Sequence, residues 1–520
     1  MIADTRIRPA AFTVIYGGKT VTEPAAPASS PPPVTRRPMM DADALACEMA
    51  RIYALTLLRD IPFADLSDPQ RGVRIDGATE FTLHELQTEL RQLPWQPRHS
   101  SPLSGDSPLS DLLSLSVPGD ADHCAASPIR CDGQPHLLPT SPATAEPVLS
   151  AFFDAARPRA AGPGGRALGV PGVGDPGPAQ SMSHWLRWIE AACGASLPMP
   201  GRSDPAIPDM RTPRDLAIQM HRRHPSQAYF NAALQLFTQE KPMDPGLMQA
   251  LGGARWTGSR IFTLMLNAAR RAEEVCRRNS RGPRVARPGV VAARWALMQS
   301  GEDMRAGPEA MLEQAALDRL NACTPRLLHW IARLNGVEGT GSFAMPDDAG
   351  GVIEGWTPLA LRQNLILPPV EKGSNRLCPA LGVGRAVLAG TQVTLLKALF
   401  ATSPDHNSAA NGHPDLAREL DKLARNVALA RSIAGGFYDV ENRQSLRLGQ
   451  SLALTMLREA LEGDGLPATL DLRDFDGRQI SLRARRERPG SVRVSLRVDG
   501  AYAPWPEGGD SPAPYLTAVV

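Results

Sequence analysis

The densest grouping of residues able to do chemistry lies in LDKLARNVALARSIAGGFYDVE, from Leu420 to Glu441. Leu420, Leu423, Val427, Ala430 and Ala434 recur at intervals of three and four, the mark of one apolar helix face. Gly435 and Gly436 then stop the helix, because glycine tolerates a left-handed turn. Arg431 therefore stands in the last helical turn, just before the chain reverses through Phe437 and Tyr438. Asp439 is placed to cap the next helix, and Glu441 suits its positive end. A guanidinium at such a turn presents a fixed fork of donors to a phosphate, sulfate or carboxylate. The partner is either an external anion or a carboxylate of the chain itself, for example Glu441.

A second grouping is PALGVGRAVLAGTQVTLLKALF, where Gly384 and Arg385 open an amphipathic helix carrying Val387, Leu388, Thr391, Leu395 and Leu399. Free backbone N–H groups and the positive dipole end can face an anion there. Many helices begin after glycine, so this signal has low specificity. Two further sets have metal-ligand chemistry. His221 and His224 lie three apart, and His123, Cys124, Cys131 and His136 fall in a Pro- and Gly-rich stretch. Pro225 and the surrounding arginines make the first set a polar helix surface, and the spacing of the second matches no common zinc module. No metal site is expected. Cys276 reads as a small buried hydrophobe.

These residues need helices to hold them, and the pattern supplies them. Leu45, Met49, Ile52 and Tyr53 share a face in DADALACEMARIYALTLLRD, closed by Pro62. Thr82–Gln92 turns Leu83, Leu86 and Leu90 inward, and Thr212 with Pro213 opens the helix that carries His221. Gly258–Arg278 places Phe262, Met265, Leu266, Ala269, Ala272 and Cys276 at core spacing. Met311–Asn321 and Pro325–Leu334 form two more helices, and Gly336–Pro379 is a long loop. Leu446, Gly449, Leu452, Ala453, Met456 and Leu457 continue a core helix to about Glu462. Beyond it the period changes to two: Ile480, Leu482 and Ala484, then Val492, Val494, Leu496 and Val498, with a turn at Asp476–Gly477.

The expected organisation is a Pro-rich flexible arm over residues 1–40 and N-terminal helices over 41–93. A Pro/Ser/Gly-rich insertion follows over 94–180, then a helical core over 181–465 and a small β tail over 466–520. The 520 residues include 45 Gly and 49 Pro, which predicts long irregular segments. A net charge of +2 gives no global attraction to nucleic acid or acidic membrane. Seven irregularly spaced cysteines do not suggest a disulfide framework. The N-terminus lacks a basic segment followed by an apolar run, and no apolar stretch approaches the roughly 20 residues that span a bilayer. The expectation is a cytoplasmic protein without a membrane span.

The order and context of three stretches resemble the vanadium-dependent haloperoxidases and the related type 2 phosphatidic acid phosphatases. The first family motif, Lys then Arg-Pro, is similar to CRRNSRGPRVARPG. Arg287 and Pro288 are kept, while the Lys position falls at Asn279 or Ser280, with Arg281 alongside. The second, Ser-Gly-His at a helix start, falls on Val383, Gly384 and Arg385. The third, an Arg, five residues, a His, three residues and an Asp, falls on Arg431, Phe437 and Glu441. The resemblance covers Ala44–Asp65 and Thr212–Arg483 with gaps, including similar segments at IPFADL, AYFNAALQLF and DFDGRQISL. It implies a mainly α haloperoxidase-like helical bundle with a small C-terminal β appendage and long Pro/Gly-rich loops. In related enzymes the long loop approaches the active site, and self-association into dimers or larger shells occurs.

The resemblance also implies what is missing. The third-motif histidine bonds vanadium, or attacks phosphorus in the phosphatases. Phe437 has no lone pair and can do neither. The second-motif histidine is an acid–base group, whereas Arg385 stays protonated and cannot shuttle a proton. The expected anion-binding set is Arg287, Gly384, Arg385 and Arg431, with Arg385, Phe437 and Glu441 as degenerate catalytic positions. Vanadate is the family cofactor, and none is expected here. The reading is a vanadium-independent protein that binds a small anion or metabolite or serves as a partner, with no nucleic acid and with self-association by analogy. The alternative is an active haloperoxidase oxidising halide with hydrogen peroxide. Its ligand would then come from His329, His406, His413 or farther upstream.

Overall fold

In the computed structural model the described residues are 40–95, 149–156, 210–239, 241–251, 256–279, 286–299, 308–337, 364–370, 384–400, 416–488 and 491–506, with short strands at 15–16, 19–20, 343–346 and 352–356. Among them run twelve α-helices: α1 Ala42–Leu57, α2 Leu83–Leu90, α3 Pro213–Arg222, α4 Gln227–Thr238, α5 Pro245–Leu251, α6 Gly258–Asn279, α7 Pro288–Gln299, α8 Pro308–Cys323, α9 Pro325–Val337, α10 Gly384–Leu399, α11 Leu416–Ile433 and α12 Asp439–Asp464. The fold is mainly helical with a small C-terminal sheet, as expected. The His123–His136 set, Val383, His406 and His413 lie outside the described residues.

The helix boundaries follow local chemistry. Asp41 accepts from Ala44 N at 2.7 Å to start α1. Thr82 and Glu85 form a reciprocal capping box on α2, and Thr212 with Asp215 forms another on α3, with Pro213 at the first position. α1 ends at Leu57, ahead of Pro62, and α3 ends at Arg222. His224 therefore sits beyond the helix and does not share a helix face with His221. Asp439 is likewise not the cap of α12. Tyr438 holds the cap position and Asp439 is the first helical residue.

The core is organised by α10, whose residues from Ala386 to Leu399 are all buried. It crosses α12 at two glycines. A Cβ on Gly390 would collide with the Leu446 carbonyl oxygen, and one on Gly449 with the Val387 carbonyl oxygen. α10 also packs on α6 and α11, where Gln392 Nε2 donates to Met265 O at 2.7 Å. The buried face of α6 is turned slightly from the expected one: Ile261, Phe262, Met265, Ala268, Ala272, Val275 and Cys276 point inward, while Leu266 and Ala269 are half-buried.

Two stretches read as irregular contain structure. Within 94–180, Ala151–Ala156 forms a 3-10 helix held to α11 by Ser150 N on Asn426 Oδ1 at 2.9 Å and Ala151 N on Glu419 Oε2 at 2.8 Å. Within Gly336–Pro379, β5 Phe343–Pro346 pairs antiparallel with β6 Val352–Trp356. Earlier in the chain β1 Ile15–Tyr16 pairs with β2 Lys19–Thr20, and β3 Gly72–Arg74 with β4 Glu80–Thr82. The C-terminal sheet is an antiparallel meander of β7 Ala468–Arg473, β8 Gln479–Arg488, β9 Ser491–Val498 and β10 Ala501–Ala503. Gly477 makes the first hairpin turn at φ 79°. One face of this sheet, with Leu470, Ile480, Leu482, Val494 and Leu496, is buried.

Candidate anion site at the turn between α11 and α12

Gly435 closes α11 at φ 70°, a conformation that a side chain would strain. Its N–H bonds Ser432 O at 2.8 Å, and Gly436 N bonds Arg431 O at 3.1 Å. Another carbonyl at this helix end is taken by a residue remote in sequence. Arg59 is almost fully buried and donates Nε and Nη2 to Ile433 O at 3.0 and 2.7 Å, and Nη1 to Pro368 O at 2.6 Å. The cation thus sits at the negative end of the α11 dipole. It also fixes the extended segment 364–370, whose Leu367 packs against Gly435. The described part of the long loop, residues 364–370, does approach this turn, as the resemblance implied.

Beyond the turn, Ser432 Oγ donates to Phe437 O at 3.2 Å, and Asn442 Nδ2 donates to Ser432 Oγ at 2.9 Å and Ala428 O at 3.0 Å. Glu441 Oε2 accepts from Tyr438 N at 3.3 Å. The Tyr438 hydroxyl reaches across to Ala286 O at 2.9 Å. That bond ties the start of α7, and with it Arg287, to the turn. Sequence reading missed Arg59, Tyr438 and Asn442. Their types gave no periodic signal, since each works through a partner more than ten residues away or across a turn.

The chemistry is concentrated on Phe437. The Arg431 guanidinium lies 3.7 Å from its ring centroid and that of Arg287 lies 5.3 Å from it. Phe437 is buried, Arg431 is almost fully buried, and Arg287 is exposed. Burial pushes the Arg431 guanidinium down to about 10. Glu441 and Cys276 oppose that drop, while Arg287 and Arg385 add to it. The arginine remains protonated at neutral pH, and an aromatic face is a fitting neighbour for such a cation. Cys276 joins Gly384 to the group, because its Sγ lies 3.5 Å from where a Cβ on that glycine would stand. Burial pushes its thiol up to about 11, partly offset by Arg431.

Arg385 goes elsewhere. Its Nη1 donates to Met220 O, and its Nη2 to His221 O at 3.2 Å and Arg223 O at 3.3 Å. It caps the C-terminal end of α3 and lines a shallow recess with Met220, Arg223, His224, Pro225, Ala228 and Val427. Of the sequence-derived set, then, Arg287 and Arg431 both lie over the Phe437 ring. Gly384 adjoins them through Cys276, and Arg385 is directed at α3. Asn279 ends α6, and Ser280 and Arg281 lie outside the described residues.

The Phe437 ring, stacked on the Arg431 guanidinium, has no lone pair to offer a ligand. Among the described residues no group of three or more His, Cys, Asp or Glu side chains could hold a metal ion.

No protein-family model matches the chain. It is 27% identical over 306 residues to a vanadium-dependent bromoperoxidase of Corallina pilulifera, covering 54% of this chain and 47% of that protein. The same enzyme of Corallina officinalis is 26% identical over 306 residues, with the same coverage. The chain thus spans about half the length of the curated relatives it matches. Among solved structures, the homohexameric second vanadate-dependent bromoperoxidase of Ascophyllum nodosum aligns with a TM-score of 0.55 at 16% identity. That alignment covers 90% of this chain and 74% of the other. No helix among the described residues is long and apolar enough to cross a membrane.

Proposed function

We propose that the chain belongs with the vanadium-dependent haloperoxidases it resembles, and that it has kept their anion-facing arginines and given up vanadium chemistry. In this reading the Arg287–Arg431 pair binds a small oxyanion or an anionic metabolite, and no redox step on a metal takes place. The observation that carries it is the ring of Phe437 lying within cation–π distance of both guanidiniums, at the position that the motif resemblance assigns to the ligand histidine. Guanidinium forks of this kind match the oxygens of a small oxyanion two at a time. Arg385, spent on the carbonyls of α3, takes no part in proton transfer. Self-association is proposed by analogy with the hexameric neighbour.

The experiment is calorimetric titration with phosphate and with orthovanadate. Phosphate binding that disappears in Arg287→Ala, with no tighter vanadate complex, supports the reading. Tight vanadate binding overturns it. It would instead favour an active haloperoxidase whose ligand comes from upstream, and one observation leans that way: His221 and His224 stand beside Arg385 at the start of α10.

A further inference from the structure

The near-zero net charge of the chain conceals a local excess in the C-terminal sheet. Between Ala468 and Ala503 there are eight arginines, five acids and no lysine. The alternation that buries Ile480, Leu482, Ala484, Val492, Val494 and Leu496 sends Arg483, Arg485, Arg493 and Arg497 to the opposite face. The pairing register gathers them. Arg485 stands directly across from Arg493, Arg483 across from Ser495, and Ser481 across from Arg497, so Arg483 is the diagonal neighbour of both Arg493 and Arg497. On the last strand Tyr502 lies across from Arg497. The four guanidiniums and one phenol form a diagonal track over three strands.

Little on this face neutralises the track. Asp471, held by Ser481 Oγ and diagonal to Arg483, is one carboxylate against four guanidiniums. Glu487 stands 3.9 Å from Arg493 with both side chains mostly exposed, a pair that contributes little. Arg483 and Arg497 each have a buried Nε without an acceptor. Like charges placed directly opposite, as Arg485 and Arg493 are, destabilise a sheet unless something external is shared between them. Tyr502 is 66% exposed, with the Arg497 guanidinium 4.1 Å from its ring centroid.

We propose that this sheet face is a docking surface for single-stranded nucleic acid, distinct from the site at the α11–α12 turn and independent of the reading given for it. Guanidinium forks match phosphate oxygens two at a time, which lysine cannot do. The exposed phenol at the end of the track offers a stacking platform to a base, a contact that an acidic peptide has no group to use. A membrane is disfavoured because the face offers no apolar side chain besides Tyr502 to enter lipid.

The test is fluorescence anisotropy of the full chain with a labelled oligothymidylate of about 20 nucleotides at low salt. Expected is saturable binding whose affinity falls with salt. Arg483→Gln with Arg485→Gln should weaken it at least tenfold and reduce the salt slope by about 1.4. Tyr502→Ala should weaken it between about fivefold and a hundredfold, with Tyr502→Phe close to wild type. A single Arg493→Gln relieves the opposed pair, so its thermal midpoint should hold or rise, which separates lost binding from lost folding. Absence of binding at low salt overturns the proposal, as does binding indifferent to these substitutions. Displacement of the oligonucleotide by polyglutamate at equal charge overturns it in favour of an acidic protein partner.

Discussion

The first turn of α12 separates two clusters of charge that are built on opposite principles. On one side, Asp439 accepts from Arg51 Nη1 at 3.0 Å and from Arg443, while its own N–H donates to Glu48 Oε2 at 2.7 Å. Two cations meet two carboxylates, and Trp95 closes over Arg51. On the other side, two residues earlier, Phe437 gathers Arg431 and Arg287. The acid–base response differs accordingly. Burial acts to lower Arg443, but Asp439, then Glu48 and Asp476, outweigh it and the net shift is upward. Arg431 shifts downward, since burial leads and outweighs Glu441 and Cys276, with Arg287 and Arg385 adding to the drop. A balanced cluster braces the fold. A cation-rich one spends stability, and such spending concentrates where a molecule meets its ligand.

The comparison can be broken most forcefully at Asp439. Asp439→Ala leaves Arg51 without its carboxylate in a buried setting and should cost about 3–5 kcal/mol, read by chemical denaturation. A loss below about 1 kcal/mol would mean that the brace is not one. A smaller effect is expected at Phe437. Phe437→Leu keeps an apolar side chain but removes the ring face from Arg431, a loss of about 1–2 kcal/mol in the same measurement. An unchanged midpoint would show that the ring is packing filler and not a partner to the cations. The smallest effect is at exposed Arg287, where Arg287→Ala should leave stability within about 0.5 kcal/mol of wild type. A larger change in the unfolding midpoint would move Arg287 from the cation-rich group into the frame.

Much of this frame was legible in periodicity and caps. Thr82, Thr212 and Gly435 mark helix ends by chemistry that needs no distant partner, and the β alternation from Ile480 to Val498 set both the buried face and the arginine face. What could not be read lies in contacts that chain order does not encode. Arg59 looks like the solvent-facing end of a helix and instead seals α11 from within. Asp439 reads as a cap because acids suit helix starts, yet its carboxylate is claimed by Arg51, 388 positions earlier in the chain. Arg385 fits an anion site by position, but the free carbonyls at the end of α3 lie closer to hand. The motif spacing found the neighbourhood of Arg287, Arg431 and Phe437. It did not reveal that the ring would lie against the guanidiniums.

The glycine crossing of α10 and α12 bears on how this region can move. With the Val387 and Leu446 carbonyls each lodged against the opposing glycine, neither helix can slide along the other without driving backbone into backbone. The spacing between the start of α10 and the start of α12 is therefore set like the jaws of a clamped vise.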